Sequence, residues 1–529
     1  MGRKLAVLWP IAIAIVPVVV AAARAAAGGW TPVGDDAYFT ARSMDVLTRH
    51  HPLVGAWSSG SAGSDDWTVN NLGPLQLDLL APFTRWTPIA GTAIGVAVVH
   101  IAAIAAIGWL VGRLGGRRLV LPAMVPVAIL TWTMGSEMLI TPRQHQYSVV
   151  PYLCLLVAAW AVTSGDRWGL VVAVVAGSLL AQTHLTYPVL VAAVALVMLV
   201  GQVLSTRAGQ ARGGRLPIVV AGVVAIVLWV QPLIDQVSGF QNLGNVVGGG
   251  GDGEPTGFGR GLRIVVGGLL PPDVLLRPGY RRYDWAIPDA DPWQLGVFGL
   301  LLVTVVVATC RARRRIDGTT VAGVAVGVVA VLAGVLNASL IPSTTFGLNV
   351  GNYRWLWSTA AFVVLVGLLL TWRRWLLDRD GGDRTRWAVP AAVVVLVAAT
   401  AANVPRSIQT EQRGHYLDEQ RSVEQMTAQV HEAARRGEID GPVLVDDTTV
   451  AFGTGFTFPL LVQLQEQDIE FRFEAPGQER RFGTSRRADG TEQSRLRILT
   501  GDVEVGPDDP GVIAHVGGAA PVVVVLEPT

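Results

Sequence analysis

Long runs of apolar residues dominate the chain from its start to about residue 403. Several of these runs reach roughly 18 residues, which is enough for a helix to cross a bilayer. A transmembrane β-barrel would instead alternate polar and apolar residues over short segments, so the pattern excludes one. We predict eleven membrane-spanning helices, at residues 5–27, 88–111, 119–134, 148–163, 168–184, 187–204, 216–236, 293–310, 319–341, 355–372 and 387–403.

Three long polar segments interrupt or follow these spans, at residues 28–87, 237–292 and 404–529. The last one begins with a polar, helix-like stretch and continues with short β-like runs, a pattern typical of a small α/β domain. The helix-like stretch covers about 407–436, and the β-like runs lie at 442–445, 469–473, 496–499 and 521–526. We therefore predict an all-α polytopic membrane bundle (1–403) followed by a small extracytoplasmic α/β C-terminal domain (404–529).

The orientation follows from arginine, which clusters in the short loops after every second predicted span. The residues are Arg113, Arg117, Arg118, Arg167, Arg207, Arg212, Arg215, Arg311, Arg313, Arg314, Arg315, Arg373, Arg374, Arg379, Arg384 and Arg386. These loops fall on the same side as Lys4, and basic loops stay in the cytoplasm. The first span is long for a signal peptide and ten more follow it, so we expect an uncleaved anchor. The prediction is a multi-pass plasma-membrane protein with a cytoplasmic N-terminus and an exported C-terminal domain.

Composition supports this class. Charged residues make up 15% of the chain, against roughly 25% in soluble domains, and the mean hydropathy is +0.44. These values exclude a simple soluble enzyme and a disordered chain. The formal net charge of +1 gives no electrostatic basis for a nucleic-acid partner. Cys154 and Cys310 fall in or at the end of spans and are interpreted as small apolar residues. The use of arginine instead of lysine suggests a GC-rich genome, such as that of an actinobacterium.

Candidate chemistry begins just after the first span, with the adjacent carboxylates Asp35 and Asp36. A helix-like pattern follows them, in which Tyr38, Arg42 and Asp45 share one face. One interpretation is helix capping, because aspartate accepts hydrogen bonds from the first turn and suits the positive end of the helix dipole. Helix capping accounts well for one aspartate at this position but less well for an adjacent pair. The other interpretation is that a carboxylate at this position acts as a general base.

Further polar candidates lie at the predicted outer ends of other spans. An arginine there suits a phosphate because its planar fork makes two parallel hydrogen bonds, but it also suits interfacial anchoring beside tyrosine and tryptophan. A lone histidine or glutamate there is either a packing residue or a functional group. The candidates are Glu137, Arg143, His145, His184, Asn349, Asn352, Tyr353 and Arg354. Asn71, in the polar segment before the second span, is a further candidate.

For three further features, the sequence allows two interpretations each. The glycine-rich stretch 245–261 is either a flexible loop or a phosphate cradle, which would need a strand before it and a helix after it. The pair Asp446-Asp447 follows the first β-like run of the C-terminal domain, where either a turn or a ligand edge is expected. A divalent metal could be held by Asp35 and Asp36 together with Asp65 or Asp66, because hard cations prefer carboxylate oxygens.

The order of these features resembles the GT-C class of membrane glycosyltransferases. Aminoarabinose transferases and protein mannosyltransferases have one span, an acidic pair, an amphipathic helix and a Pro-Pro-Leu or Gly-Pro-Leu element before the second span. Asp35-Asp36 and Gly73-Pro74-Leu75 correspond to the acidic pair and to the last element. The chain is also similar to mycobacterial arabinofuranosyltransferases in its acidic pair and exported C-terminal part. Where aminoarabinose transferases have a lysine before that element, this chain has Asn70, Asn71 and Leu72, so the phosphate anchor must lie elsewhere.

The resemblance implies inverting transfer of a sugar, with arabinofuranose favoured, from a polyprenyl-phosphate carrier to a hydroxyl acceptor of the cell envelope. It implies Asp35 as the base, with Asp36 beside it. Arg143 or Arg354 would meet the lipid phosphate, and the other substrate-binding candidates would be His145, Tyr353, His184 and Asn71. Two alternatives remain. One is a transporter or flippase of a lipid-linked precursor, although no internal repeat is evident. The other is an envelope sensor or scaffold that uses the C-terminal domain as its ligand domain.

Overall fold

A computed structural model of the protein describes residues 2–58, 69–249, 253–276, 286–312, 317–373, 382–404, 414–450, 455–474, 477–501 and 503–529. Asp65 and Asp66, and residues 250–252 of the glycine-rich stretch, lie outside the described residues. The same holds for Arg313, Arg314, Arg315, Arg374 and Arg379 of the predicted basic loops.

The helices are α1 (Gly2–Arg24), α2 (Asp35–Met44), α3 (Leu75–Thr84), α4 (Pro88–Gly115), α5 (Val120–Met138), α6 (Gln144–Tyr147), α7 (Val149–Thr163), α8 (Trp168–Thr183), α9 (Pro188–Arg207), α10 (Leu216–Ser238), α11 (Asn242–Gly248), α12 (Phe258–Leu269), α13 (Pro292–Ala312), α14 (Gly318–Leu340), α15 (Trp355–Trp372), α16 (Gly382–Asn403), α17 (Gly414–Arg435), α18 (Thr457–Glu466) and α19 (Gln478–Phe482). Within the described ranges, each of the eleven predicted spans coincides with a helix. Eight of these helices are long and apolar enough to cross a membrane, and three apolar helices are shorter.

The centre of the bundle is α7, whose residues from Val149 to Val162 are all buried. A helix that is apolar on every side belongs inside a bundle, and α4, α8, α9, α14 and α15 surround it. Small residues allow close approach of neighbouring helices, as at Gly201 of α9, where a Cβ would lie 2.5 Å from the Thr163 side chain. The outward faces of α9, α10 and α13 carry exposed leucine, isoleucine and valine, as expected of helices that face lipid.

Basic loops meet at one end of the bundle. Arg113, in the last turn of α4, makes a bidentate ion pair with Asp166, after α7, at 2.5 and 2.8 Å. The backbone of Arg212, after α9, pairs with the same turn, with its N–H 2.8 Å from the Gly165 carbonyl oxygen. At the start of α14, Asp317 binds the guanidinium of Arg373 at 2.6 Å. The described arginines of these loops therefore share one end of the bundle.

The C-terminal domain contains a five-stranded mixed sheet in the order β2-β1-β3-β5-β4. The strands are β1 (Val443–Asp446), β2 (Phe471–Arg472), β3 (Ser494–Thr500), β4 (Val512–Val516) and β5 (Val522–Pro528). β1 is parallel to β2 and β3, whereas β5 is antiparallel to β3 and β4. The four predicted runs correspond to β1, β2, β3 and β5. β4 was not predicted, because its alternation is short and is broken by a bulge between Val512 and Ala514.

This domain rests on the helices that follow α1 and precede α4. Tyr38 and Phe39 of α2 and Leu77 of α3 share one buried cluster with Leu460 of α18 and Phe482 of α19. The two large polar segments of the bundle meet at the same end, since the Asn70 N–H donates to the Asn242 side-chain oxygen at 2.8 Å. The C-terminal domain and the start of α2 therefore lie together, at the end of the bundle away from the basic loops.

The described part of the glycine-rich stretch does not form a strand–loop–helix unit. Its first residues end helix α11, and its last residues begin helix α12. Beyond residue 252, its backbone pairs with the segment after α14, with the Thr256 N–H 2.8 Å from the Ile341 carbonyl oxygen. The phosphate-cradle interpretation therefore lacks the strand that it requires.

Candidate active site

A cavity of about 610 Å³ lies between the end of the bundle and the C-terminal domain. Its wall combines backbone and side chains from both parts of the chain. The bundle side includes Gly34, Asp35, Tyr38, Trp57, Asn71, Arg143, His145, His184, Asn349 and Asn352, and the domain side includes Glu419, Asp447, Gly455, Thr457, Gln478 and Arg481.

The two adjacent aspartates occupy different environments. Asp35 is exposed and lines the cavity, whereas Asp36 is 4% exposed and lies behind the wall. Successive residues of a helix point about 100° apart, so two neighbours do not face the same way. The N-cap of α2 is Gly34, whose φ of 55° favours glycine. Both aspartates therefore lie in the first turn of α2, where the helix dipole favours negative charge, and neither is the capping residue.

Asp36 is bound by groups from the segment after α5. The Thr141 hydroxyl donates a hydrogen bond to Asp36 Oδ1, and Arg143 Nε lies 3.3 Å from the same oxygen. Burial raises the pKa of Asp36, and the Arg143 charge and the Thr141 hydrogen bond oppose that rise. Arg143 also donates to the Val33 carbonyl oxygen at 3.3 Å. Asp36 thus holds the guanidinium of Arg143 at the cavity wall, next to the segment that carries Asp35.

Two imidazoles and an amide form the neighbouring part of the wall. The rings of His145 and His184 pack edge to face, with 4.5 Å between their centroids. Asn71 is held by backbone groups, since its Oδ1 accepts from the Leu185 N–H at 3.0 Å and its Nδ2 donates to the Ala56 carbonyl oxygen at 2.9 Å. These three predicted residues line one cavity with Asp35 and Arg143.

Tyr353 and Arg354 do not line the cavity. Both are buried, and Arg354 directs Nη1 at the Met138 sulfur at 2.9 Å and its guanidinium over Trp357. A short 3₁₀ turn over residues 350–353 precedes α15. In this segment the candidates Asn349 and Asn352 line the cavity instead.

The domain side of the cavity is also largely absent from the sequence-based candidates. Asp447 is the exception, since it follows β1 at the sheet edge where a ligand was one interpretation. Gln478 Nε2 donates to both oxygens of Asp447 at 3.3 Å. Burial raises the pKa of Asp447, and the charge of Arg481 opposes that rise. The Arg481 guanidinium lies 4.8 Å from the centroid of the Trp57 ring, so segments far apart in sequence meet at the cavity wall.

The described residues give no support to the predicted divalent-metal site at Asp35 and Asp36. They contain no group of three or more histidine, cysteine, aspartate or glutamate side chains arranged to hold a metal ion. Asp35 and Asp36 diverge, and Asp36 is already bound by Thr141 and Arg143. Asp65 and Asp66 lie outside the described residues.

Comparison with solved structures identifies the fold. No family model and no curated protein matches the chain. The chain is similar to ArnT from Cupriavidus metallidurans bound to undecaprenyl phosphate, at 12% identity and a TM-score of 0.54, over 98% of each chain. The apo form of ArnT gives a TM-score of 0.55 at 12% identity, over 99% of this chain and 98% of ArnT. Archaeoglobus fulgidus oligosaccharyltransferase aligns more loosely, with a TM-score of 0.42, 11% identity and coverage of 89% and 65%. The chain therefore has the fold of the GT-C class of membrane proteins, as its sequence resemblance implies.

Proposed function

We propose that the protein is an inverting glycosyltransferase that moves a sugar from a polyprenyl-phosphate carrier to a hydroxyl acceptor at the outer face of the membrane. The observation that carries this proposal is the position of Asp35, an exposed carboxylate in a cavity that also contains the guanidinium of Arg143. A base and an anion-binding group in one cavity are what transfer from a lipid phosphate requires.

The GT-C fold supports the donor class. ArnT shares the fold over nearly its whole length and has been crystallised with undecaprenyl phosphate. The cavity lies at one end of the bundle, and we propose that a lipid-linked donor reaches it from the bilayer. Arg143 replaces Arg354 as the favoured phosphate contact, because Arg143 lines the cavity and Arg354 is buried beside Met138.

The basic loops support an outer-face reaction. Arg113, Arg167, Arg212 and Arg373 belong to the end of the bundle away from the cavity, and arginine-rich short loops stay in the cytoplasm. On this basis the N-terminus is cytoplasmic, and the cavity and the C-terminal domain are extracytoplasmic. Carrier-linked sugars suit that location, because the lipid brings the activated sugar to the membrane surface.

The proposed chemistry uses Asp35 and Arg143 directly. The Asp35 carboxylate takes the proton of the acceptor hydroxyl, and the hydroxyl oxygen attacks the anomeric carbon of the donor sugar. The bond from that carbon to the phosphate oxygen breaks, and polyprenyl phosphate leaves with the electron pair. Arg143 stabilises the negative charge on the leaving phosphate through its planar fork. Attack opposite the leaving group inverts the anomeric configuration.

Arabinofuranose and an envelope glycan remain our favoured sugar and acceptor. The sequence resemblance to mycobacterial arabinofuranosyltransferases supports both, through the acidic pair and the C-terminal domain.

The test uses purified full-length protein reconstituted with a labelled pool of polyprenyl-phosphate sugars and envelope glycan. We expect stoichiometric release of polyprenyl phosphate and labelled glycan with inverted anomeric configuration. Movement of intact lipid-linked sugar across the vesicle membrane, without cleavage, would contradict the proposal and favour the transporter alternative. The absence of both cleavage and movement would contradict it as well.

A further inference from the structure

The two sides of the cavity differ in charge. The bundle side presents Arg143 and two imidazoles around Asp35. The domain side presents the carboxylates of Glu419 and Asp447 and the guanidinium of Arg481. Glu419 is buried and accepts a hydrogen bond from the Gly455 N–H at 2.6 Å, so its negative charge is held in place by the backbone. An anionic donor phosphate is therefore best accommodated at the bundle side.

An unsatisfied amide marks the domain side. Gln478 is 9% exposed and lines the cavity, and its Nε2 is occupied by Asp447. Its Oε1 is buried and has no hydrogen-bond partner among the described residues. An unsatisfied buried acceptor is unfavourable, so native structures rarely leave one without a ligand or water. The free oxygen of Gln478 is suited to accept a hydrogen bond from a group that enters the cavity.

The neighbouring groups restrict that ligand. Asp447 is half-buried at the end of β1, and Gln478 fixes its orientation from one side. Arg481 is held against Trp57, and its backbone carbonyl accepts from the Tyr38 hydroxyl at 2.9 Å. The ligand therefore meets two acceptor groups, the Asp447 carboxylate and Gln478 Oε1, close to one cation that is already oriented.

We propose that Asp447 and Gln478 form the acceptor subsite and that this subsite selects a neutral, hydroxyl-rich sugar over an anionic one. The proposal rests on the glycosyltransferase function. Sugar hydroxyls donate hydrogen bonds to the carboxylate and to the amide oxygen, and adjacent hydroxyls match two adjacent acceptors. A uronic acid or a phosphorylated glycan would bring a negative charge towards Asp447 and Glu419, and like charges at short range disfavour binding.

The test compares full-length wild type with Asp447→Asn and Gln478→Leu, and uses Asp508→Asn as the matched control on an exposed part of the same domain. The probes are neutral arabinan, mannan and galactan fragments and a uronic-acid oligosaccharide, with binding measured by ligand-observed NMR and titration. We expect at least one neutral fragment to bind wild type and the control equally, and to bind each subsite variant at least tenfold more weakly. Thermal unfolding of all four proteins checks that each is folded.

Equal binding by wild type and both subsite variants would overturn the proposal. Preference for the uronic-acid probe, or no neutral fragment bound by wild type, would overturn it too. A second readout separates this proposal from the function itself. Release of polyprenyl phosphate from the donor by wild type and by Asp508→Asn, measured without acceptor and with water as the nucleophile, reports on the function independently of sugar binding. If wild type binds the neutral sugar but never cleaves the donor, the glycosyltransferase function fails and the subsite stands.

Discussion

The guanidinium Nε of Arg143 lies 3.3 Å from Oδ1 of Asp36, and the side chains are 20% and 6% exposed. Asp36 is thus a partner of Arg143 inside the wall, while its neighbour Asp35 faces the cavity. Two adjacent carboxylates that look equivalent in the sequence therefore have different tasks. Asp35 is placed to contact substrate, and Asp36 is placed to position the group that meets the phosphate.

Replacement of Asp36 tests its positioning role. Asp36→Asn removes the charge that orients Arg143 in a mostly buried setting, and an interaction of this kind contributes about 1 to 3 kcal/mol. We expect a rise of at least tenfold in KM for the lipid-linked donor, with kcat changed only a few-fold. Steady-state kinetics with saturating acceptor measure this split, and Asp508→Asn serves as the control. A collapse of kcat at unchanged KM would instead give Asp36 a direct part in the chemistry.

We expect Arg143 to bind the donor phosphate through two parallel N–H groups of its planar guanidinium as well as through its charge. Arg143→Lys keeps a positive charge but loses the two parallel donors, whereas Arg143→Gln loses the charge. Removal of an anion-stabilising donor costs about 10²- to 10³-fold in rate. We predict that the glutamine variant loses that much in kcat/KM and that the lysine variant falls between it and wild type. Equal activity of all three proteins would place the phosphate elsewhere.

The C-terminal domain is joined to the bundle by a buried ion pair. Arg486 Nη2 lies 2.7 Å from Asp45 Oδ1, with side chains 4% and 2% exposed. Loss of one partner of a buried pair costs about 3 to 5 kcal/mol, because the other charge stays buried. We predict that Asp45→Asn lowers the free energy of unfolding by that amount in detergent.

The matched control for this pair is Asp418→Asn, whose partner Arg421 lies at 3.4 Å on an exposed face of α17. A surface pair contributes about 0 to 1 kcal/mol. Denaturant unfolding of the two variants should therefore differ clearly. A similar small loss in both would show that the Asp45–Arg486 pair does not hold the domain in place.

Asp78 on α3 predicts a pH dependence of stability. Burial raises its pKa from 3.8 to about 6, opposed by a hydrogen bond from Gln231 at 2.9 Å. The folded protein holds this proton more tightly than the unfolded chain, so stability falls as pH rises from about 4 to about 6. Asp78→Asn should flatten that part of the stability curve, by about 3 kcal/mol. Unfolding measured across this range checks it, and an unchanged slope contradicts it.

The membrane bundle was predictable because lipid imposes a strict rule on sequence. A spanning helix must satisfy its backbone internally and present apolar side chains over its whole length, so each span is a local signal. All eleven predicted spans coincide with helices for this reason. Strand β4 was missed because its pairing with β5 depends on a distant partner and contains a bulge.

The candidate site was only partly predictable. Arg143, His145 and His184 could be placed at the outer end because each flanks a span, and Asn71 because it lies in the polar segment between the first two spans. Arg354 has the same local pattern, and only the turn before α15 and the packing against Met138 show that it is buried. The domain side depends on contacts hundreds of residues apart along the chain, which one sequence does not reveal.

In the proposed mechanism, Asp35 removes the proton of the acceptor hydroxyl. The most direct measurement is the single-turnover rate of sugar transfer by Asp35→Asn, with donor binding measured separately on the same protein. Asp35 is exposed and forms no part of the core, so the variant should fold and bind donor as wild type does. We predict a rate about 10² to 10⁴ lower, the usual contribution of a general base. A transfer rate equal to that of wild type would show that Asp35 is not the general base.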